Sequence, residues 1–164
     1  TGQRAGFEAE FRSELPEVAI TTDVIVGFPG EDEKDFGATV ELVKKIRFDG
    51  MFSFCFSPRK DTRASTLPDA VSKEVAVRRL RELQALQKAI TRERLKELEG
   101  KKVEVLTEGV SKNSEEELTG RTRTNKIVNF KAPRTLVSEL VEVEIVKGCA
   151  NSLRGAETDT QGGR

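Results

Sequence analysis

The spacing of apolar residues changes at Gly100, and that change limits the fold more than any other feature. In the long stretch just before it, apolar side chains recur at the helical period of about 3.6. After it they alternate, as in Lys102-Val103-Glu104-Val105-Leu106 and Leu140-Val141-Glu142-Val143-Glu144-Ile145-Val146. A period of two puts one face of a segment in a core and the other in water. Leu118 to Arg123 and Lys126 to Phe130 lie between these segments, separated by Thr124-Asn125, and Ser152-Leu153-Arg154 forms a short last strand. Short strands at this density over residues 100–156 predict a small OB-like β-barrel. Residues 1–99 read as an α/β portion with a long connecting helix, and the polar, Gly-rich stretch 157–164 as a disordered tail. The expected class is therefore α/β plus all-β.

Within residues 1–99, Phe7, Phe11 and Leu15 recur every four residues, and Pro16 ends that helical pattern. Val18 to Val26 reads as a strand. Its run Val24-Ile25-Val26 suits a strand covered on both faces. Gly27, Pro29 and Gly30 stop it, and Asp32, Glu33 and Asp35 stand where the start of a helix favours negative charge. A helix from Glu33 to Arg47 follows, with Phe36, Val40, Val43 and Ile46 on one face. Asp49-Gly50 turns the chain into a second strand, Met51 to Phe56, which Ser57-Pro58 stops. Residues 18–56 thus form a β-α-β unit, which predicts parallel strands. Ligands sit at the carboxyl ends of such strands, so the Gly27–Gly30 turn and the polar loop Ser57–Ala64 are both ligand edges. Asp23 is the one charge on the first strand. It is either a strand-entry carboxylate facing water or a group that binds a ligand. Ser72 suits the N-cap of a helix from Lys73 to Glu99 with an apolar stripe of Leu80, Leu83, Leu86, Ile90 and Leu98. Arg78, Arg79, Arg81, Lys88, Arg92, Arg94 and Lys96 fall on its other faces and read as a solvated surface.

Composition excludes several chemistries. The 164 residues carry 28 basic and 28 acidic side chains and no His, so neither a His base, a Ser-His-Asp triad nor a His metal ligand can exist here. No apolar run approaches the length of a membrane span, and nothing in the first residues reads as a signal peptide. The chain opens on Thr1-Gly2-Gln3 rather than Met, as a fragment of a longer protein would. Cys55 and Cys149 match no metal-ligand spacing and read as small apolar side chains. Charge is uneven. Residues 1–72 are acidic on balance and 73–99 basic. Thr119 to Ser138 contains Arg121, Arg123, Lys126, Lys131 and Arg134 and no acid. That stretch is either a phosphate-binding surface or solubility charge on a small barrel, and the lack of a neighbouring acid favours the former.

Several of these segments resemble one family. Asp23-Val24-Ile25-Val26-Gly27-Phe28-Pro29-Gly30-Glu31 resembles the fifth-strand motif of radical S-adenosylmethionine enzymes, in the Gly-Phe-Pro-Gly-Glu form typical of the methylthiotransferases. Ser57-Pro58-Arg59, with Thr62 and Ala64, resembles the loop after their sixth strand. Lys60-Asp61 stands where that loop more usually has Pro-Gly. Residues 100–155 resemble the TRAM domain, the RNA-binding barrel that closes these proteins. Thr119 to Phe130 and Asn151-Ser152-Leu153-Arg154-Gly155 resemble the MiaB branch, the tRNA 2-methylthio-N6-isopentenyladenosine synthases.

The resemblance implies the C-terminal part of an incomplete (β/α)6 radical SAM barrel followed by TRAM. It implies S-adenosylmethionine and two [4Fe-4S] clusters in the full-length parent. The Cys-x3-Cys-x2-Cys loop and the further cysteines that hold those clusters are missing from this sequence, so the chain alone should be inactive. Asp23 would accept hydrogen bonds from the ribose hydroxyls of S-adenosylmethionine. Ile25, two residues on and so on the same face, would pack on the adenine, and the Ser57 backbone would meet its edge. Arg59 would belong to a substrate loop. Arg121, Arg123, Lys126 and Arg154 would contact tRNA, with Arg121 and Arg123 alternating on one strand face. The implied partner is tRNA, neither DNA nor a membrane, and the implied location is the cytoplasm. The alternatives are a stand-alone tRNA-binding module, or a sister methylthiotransferase acting on threonylcarbamoyl-adenosine or a ribosomal protein. The motif between Thr119 and Phe130 argues against both sisters.

Overall fold

The computed structural model describes residues 14, 18–112 and 114–157. The helical pattern of Phe7, Phe11 and Leu15 and the tail after Glu157 lie outside them. The chain forms two compact units, Thr1–Ile90 and Thr91–Arg164.

In the first unit, β1 (Thr21–Val26) and β2 (Gly50–Cys55) pair in parallel from Thr21↔Gly50 to Val26↔Cys55, as the β-α-β reading requires. β1 starts later than the apolar pattern does. Ile20 is held instead by Asp49, whose carboxylate accepts the Ile20 N–H at 3.0 Å and whose own N–H donates to the Ile20 carbonyl at 2.8 Å. Between the strands runs α1 (Glu33–Ile46). Its start is a reciprocal cap: Asp32 accepts the Asp35 N–H at 2.7 Å, and Asp35 accepts the Asp32 N–H at 3.3 Å. Its end is Arg47, which turns left-handed at φ 54°.

The core of this unit joins Val26, Phe36, Val43, Ile46 and Phe48 with Leu83 and Ile90 of α2 (Lys73–Lys96). Ser72 begins α2 as expected, its hydroxyl accepting the Val75 N–H at 3.3 Å. The helix stops at Lys96 rather than Glu99. The chain there tightens into bonds from Leu98 to Leu95 and from Glu99 to Lys96.

One expectation for β1 fails. Its residues alternate between exposed and covered, and Ile25 is 56% exposed. The helices α1 and α2 cover the face that carries Val24 and Val26, and no described element covers the other. The apolar run Val24–Val26 is therefore not a sign of burial on both sides.

The second unit is a closed five-stranded barrel in the order β3-β4-β5-β7-β6, with β6 returning to β3. The strands are β3 (Lys102–Val110), β4 (Glu117–Thr122), β5 (Ile127–Lys131), β6 (Leu140–Gly148) and β7 (Leu153–Gly155). Every pairing is antiparallel except β5 with β7. This is the small OB-like barrel that the alternating segments predict. Val105, Leu118, Val128, Phe130, Val141, Val143, Ile145 and Leu153 fill it. Closure is tight at β7: a Cβ on Gly155 would fall on the Val143 side chain. Of the two architectures expected, the barrel is complete, whereas the described residues of the first unit show a single β-α-β unit.

Candidate functional site

β1 and the loop after β2 carry the residues singled out at the sheet. Asp23 and Ile25 lie on the exposed face of β1, as their two-residue spacing demands. The register sets Phe52 opposite Asp23 and Phe54 opposite Ile25, and these rings are 68% and 55% exposed. The result is one open face with a carboxylate at its edge and three large apolar side chains, Ile25, Phe52 and Phe54. None of the described residues pairs with the Asp23 carboxylate. The sequence reading did not single out Phe52 or Phe54. Their signal was available, because parallel pairing of two strands with period two puts them beside Asp23 and Ile25.

The loops after the strands are joined. The Phe56 N–H donates to the Val26 carbonyl at 2.8 Å, and the rings of Phe28 and Phe56 meet edge to face with centroids 5.0 Å apart. Ser57 and Arg59 follow and are exposed. The turn after β1 is fastened from within. Gly27 has φ +72°, and its N–H donates to the Glu31 carboxylate at 3.0 Å. The other Glu31 oxygen accepts from Arg79 at 2.7 Å, and Arg79 also reaches Glu33 at 2.9 Å. Gly27 is approached closely by α2, since a Cβ there would lie 2.6 Å from the Ala76 Cβ.

Arg79 corrects the reading of α2 as a helix with solvated arginines. It is 3% exposed, and its guanidinium lies over the Phe36 ring, 5.5 Å from the centroid. Its place on the helix contains the signal that was missed: Ala76 and Leu83, three residues before and four after, are both buried. Burial works against the Arg79 charge, but the carboxylates of Glu33 and Glu31 outweigh it and raise its pKa. Glu33, hydrogen-bonded by Arg79 and then Arg78, is held below the usual carboxylate range.

The barrel corrects the premise of an arginine patch without acids. The acids come from elsewhere in the chain. Arg121 pairs with Glu108 of β3 at 3.1 Å and donates to Asn125 at 2.8 Å. Arg123 pairs with Glu104 at 2.6 Å, and Arg154 with Glu117 at 2.7 Å. Lys126 reaches the Thr124 hydroxyl at 3.4 Å. Lys131 and Arg134 meet Glu116 and Glu115 at 3.4 and 3.8 Å. Nor do Arg121 and Arg123 alternate along a strand, because β4 ends at Thr122 and Arg123 sits in the turn. They share a surface all the same, since Glu104 and Glu108 stand on one strand.

Residues 96–156 match the TRAM domain family model. A tRNA-2-methylthio-N(6)-dimethylallyladenosine synthase of Syntrophus aciditrophicus (strain SB) is 48% identical over 144 residues, which are 88% of this chain and 31% of that protein. The synthase of the same name from Thermoanaerobacter sp. (strain X514) is 47% identical over 144 residues, with the same coverage. That of Carboxydothermus hydrogenoformans (strain ATCC BAA-161 / DSM 6008 / Z-2901) is 47% identical over 146 residues, 89% of this chain and 33% of that protein. The chain thus spans about a third of the length of these relatives. Closed barrel and family match together make residues 96–156 a TRAM domain, in a chain similar over most of its length to the tRNA-2-methylthio-N(6)-dimethylallyladenosine synthases.

Proposed function

We propose that this chain is the C-terminal third of a radical S-adenosylmethionine enzyme that transfers a methylthio group to the isopentenylated adenosine beside the tRNA anticodon. The observation that carries this reading is identity of 48% running through both units, the β-α-β unit as well as the barrel. A shared RNA-binding barrel alone would leave the first unit unmatched. In this reading one S-adenosylmethionine supplies the radical and a second supplies the methyl group. The open face of β1 and β2 suits a nucleoside: Asp23 accepts the vicinal ribose hydroxyls, and Ile25 offers an apolar surface to the adenine. The Ser57 backbone lies at the same sheet edge, and Arg59 extends from the loop toward substrate. The clusters do not fit this chain. It holds only Cys55 and Cys149, and the described residues contain no group of three or more metal-ligating side chains. They belong to the remainder of the parent, and the chain by itself is inactive.

The barrel supplies the tRNA contacts through Arg121, Arg123, Lys126 and Arg154, three of which exchange a carboxylate partner for phosphate. No described helix is long and apolar enough to cross a membrane. A tRNA substrate places the work in the cytoplasm.

The test is an exchange. The matching third of the Syntrophus aciditrophicus synthase is replaced by this chain, and the chimera is expressed in bacteria lacking their own synthase. Mass spectrometry of tRNA nucleosides should show 2-methylthio-N6-isopentenyladenosine. Methylthiolation of threonylcarbamoyl-adenosine instead would move the assignment to a sister enzyme. Retention of tRNA without modification would leave only a binding module.

A further inference from the structure

The buried arginine of α2 has no part in the reading above. Arg79 donates to Glu31 twice, to the side chain at 2.7 Å and to the main-chain carbonyl at 3.0 Å. Its other arm reaches Glu33 at 2.9 Å. The second Glu31 oxygen takes the N–H of Gly27 at 3.0 Å, the first residue past β1. A chain of contacts therefore runs from α2 through one carboxylate to the point where the backbone leaves the strand. Packing alone does not call for an arginine here. Its buried Nε has no hydrogen-bond partner, and a buried ion pair commonly adds no stability over apolar residues of like volume. What an ion pair with this geometry does supply is direction. Glu31 held at both oxygens fixes where the Gly27 N–H points and keeps Gly27 at its positive φ.

We propose that Arg79 is a positioning residue: by clamping Glu31 it sets the Gly27–Glu31 turn in the shape that receives the nucleoside of S-adenosylmethionine beside Asp23 and Ile25. This rests on the proposed function, in which the nucleoside lies on the β1 face that ends in this turn. Arg79 touches no ligand itself. Its effect falls on affinity rather than on the chemical step.

Two measurements test it. In the full 164-residue chain, hydrogen exchange of the amides of Gly27, Phe28, Gly30 and Glu31 is compared for wild type, Arg79→Gln and Arg79→Lys. In the chimeric synthase, S-adenosylmethionine binding by equilibrium dialysis is compared alongside iron content, KM and kcat. Arg79→Gln should speed exchange in the turn at least tenfold (~1.4 kcal/mol) and leave the barrel amides unchanged. It should weaken S-adenosylmethionine binding and raise its KM by a similar factor, with iron content and kcat at saturation within about twofold. Arg79→Lys, which keeps the charge but not the fork, should recover part of both losses. If Arg79→Gln does not fold, Arg79→Lys decides alone, with an expected loss of about threefold. Unchanged turn amides overturn the clamp. Faster turn amides with affinity within twofold of wild type overturn the positioning role. A wild-type chimera that binds no S-adenosylmethionine overturns the proposed function and the inference with it, and it is recognised before any substitution is made.

Discussion

Gly27 combines φ +72° with a neighbour, Ala76, that a Cβ would meet at 2.6 Å. Gly30 has φ +84° but nothing within 4 Å of a Cβ. The two glycines separate conformational strain from steric contact. Gly30→Ala should cost about 1 kcal/mol, the strain of a left-handed residue, and Gly27→Ala distinctly more, because α2 must also move. Urea unfolding of both variants measures the difference, and equal costs would show that Ala76 gives way freely. The need for glycine was legible, since Gly-Phe-Pro-Gly ends a strand. Which of the two faces a helix was not, because Ala76 lies far along the chain. Arg79 is similar. Its position on the apolar stripe could be read from Ala76 and Leu83, but its acids are 46 and 48 residues away.

The start of α1 gathers charges whose titration governs the element. Asp32 is held below its usual value chiefly by the Asp35 N–H, and Glu33 below its own by Arg79 and then Arg78. Both carboxyls bind protons less readily folded than unfolded. Their stabilisation is therefore present above the unfolded values of 3.8 and 4.5 and is lost as pH falls through the folded ones. The urea midpoint of the first unit should be level down to that range and then drop. Glu33→Gln should flatten the drop without abolishing it, because Asp32 remains; an unchanged profile would remove Glu33 from the cause. In the barrel, β7 is short, yet Leu153 is 1% exposed and joins β5 to β6. Leu153→Ala should destabilise that unit by about 2–5 kcal/mol, measured by thermal unfolding. The elements were largely legible: acids at the start of α1, the Ser72 cap, periods and turn residues placed α1, α2 and the strands. Boundaries moved where a tertiary bond intervened, as Asp49 does at Ile20.

At the scale of the whole molecule the balanced charge is also locally balanced on the barrel, so the proposed RNA binding would be an exchange of partners. Under the proposed tRNA binding, phosphate displaces Glu104 from Arg123 and Glu108 from Arg121. Replacing both glutamates by glutamine should tighten tRNA binding by the full chain and steepen its salt dependence. Replacing Arg121 and Arg123 by glutamine should do the reverse, with a loss of roughly 0.7–0.9 in log–log slope per phosphate contact. Filter binding over a range of salt reads both, and identical slopes for all variants would place the tRNA surface elsewhere. The order and kind of the elements, the acids at the start of α1, the Ser72 cap of α2 and the alternation that makes a barrel were all legible along the chain. These depend on residues within a turn or a strand of one another. Only the fold decided which acids Arg79 meets, that Ile25 is exposed, and that arginines without an acid nearby in sequence have one in space. Burial and charge pairing depend on what a fold brings from distant segments, and local spacing does not encode that.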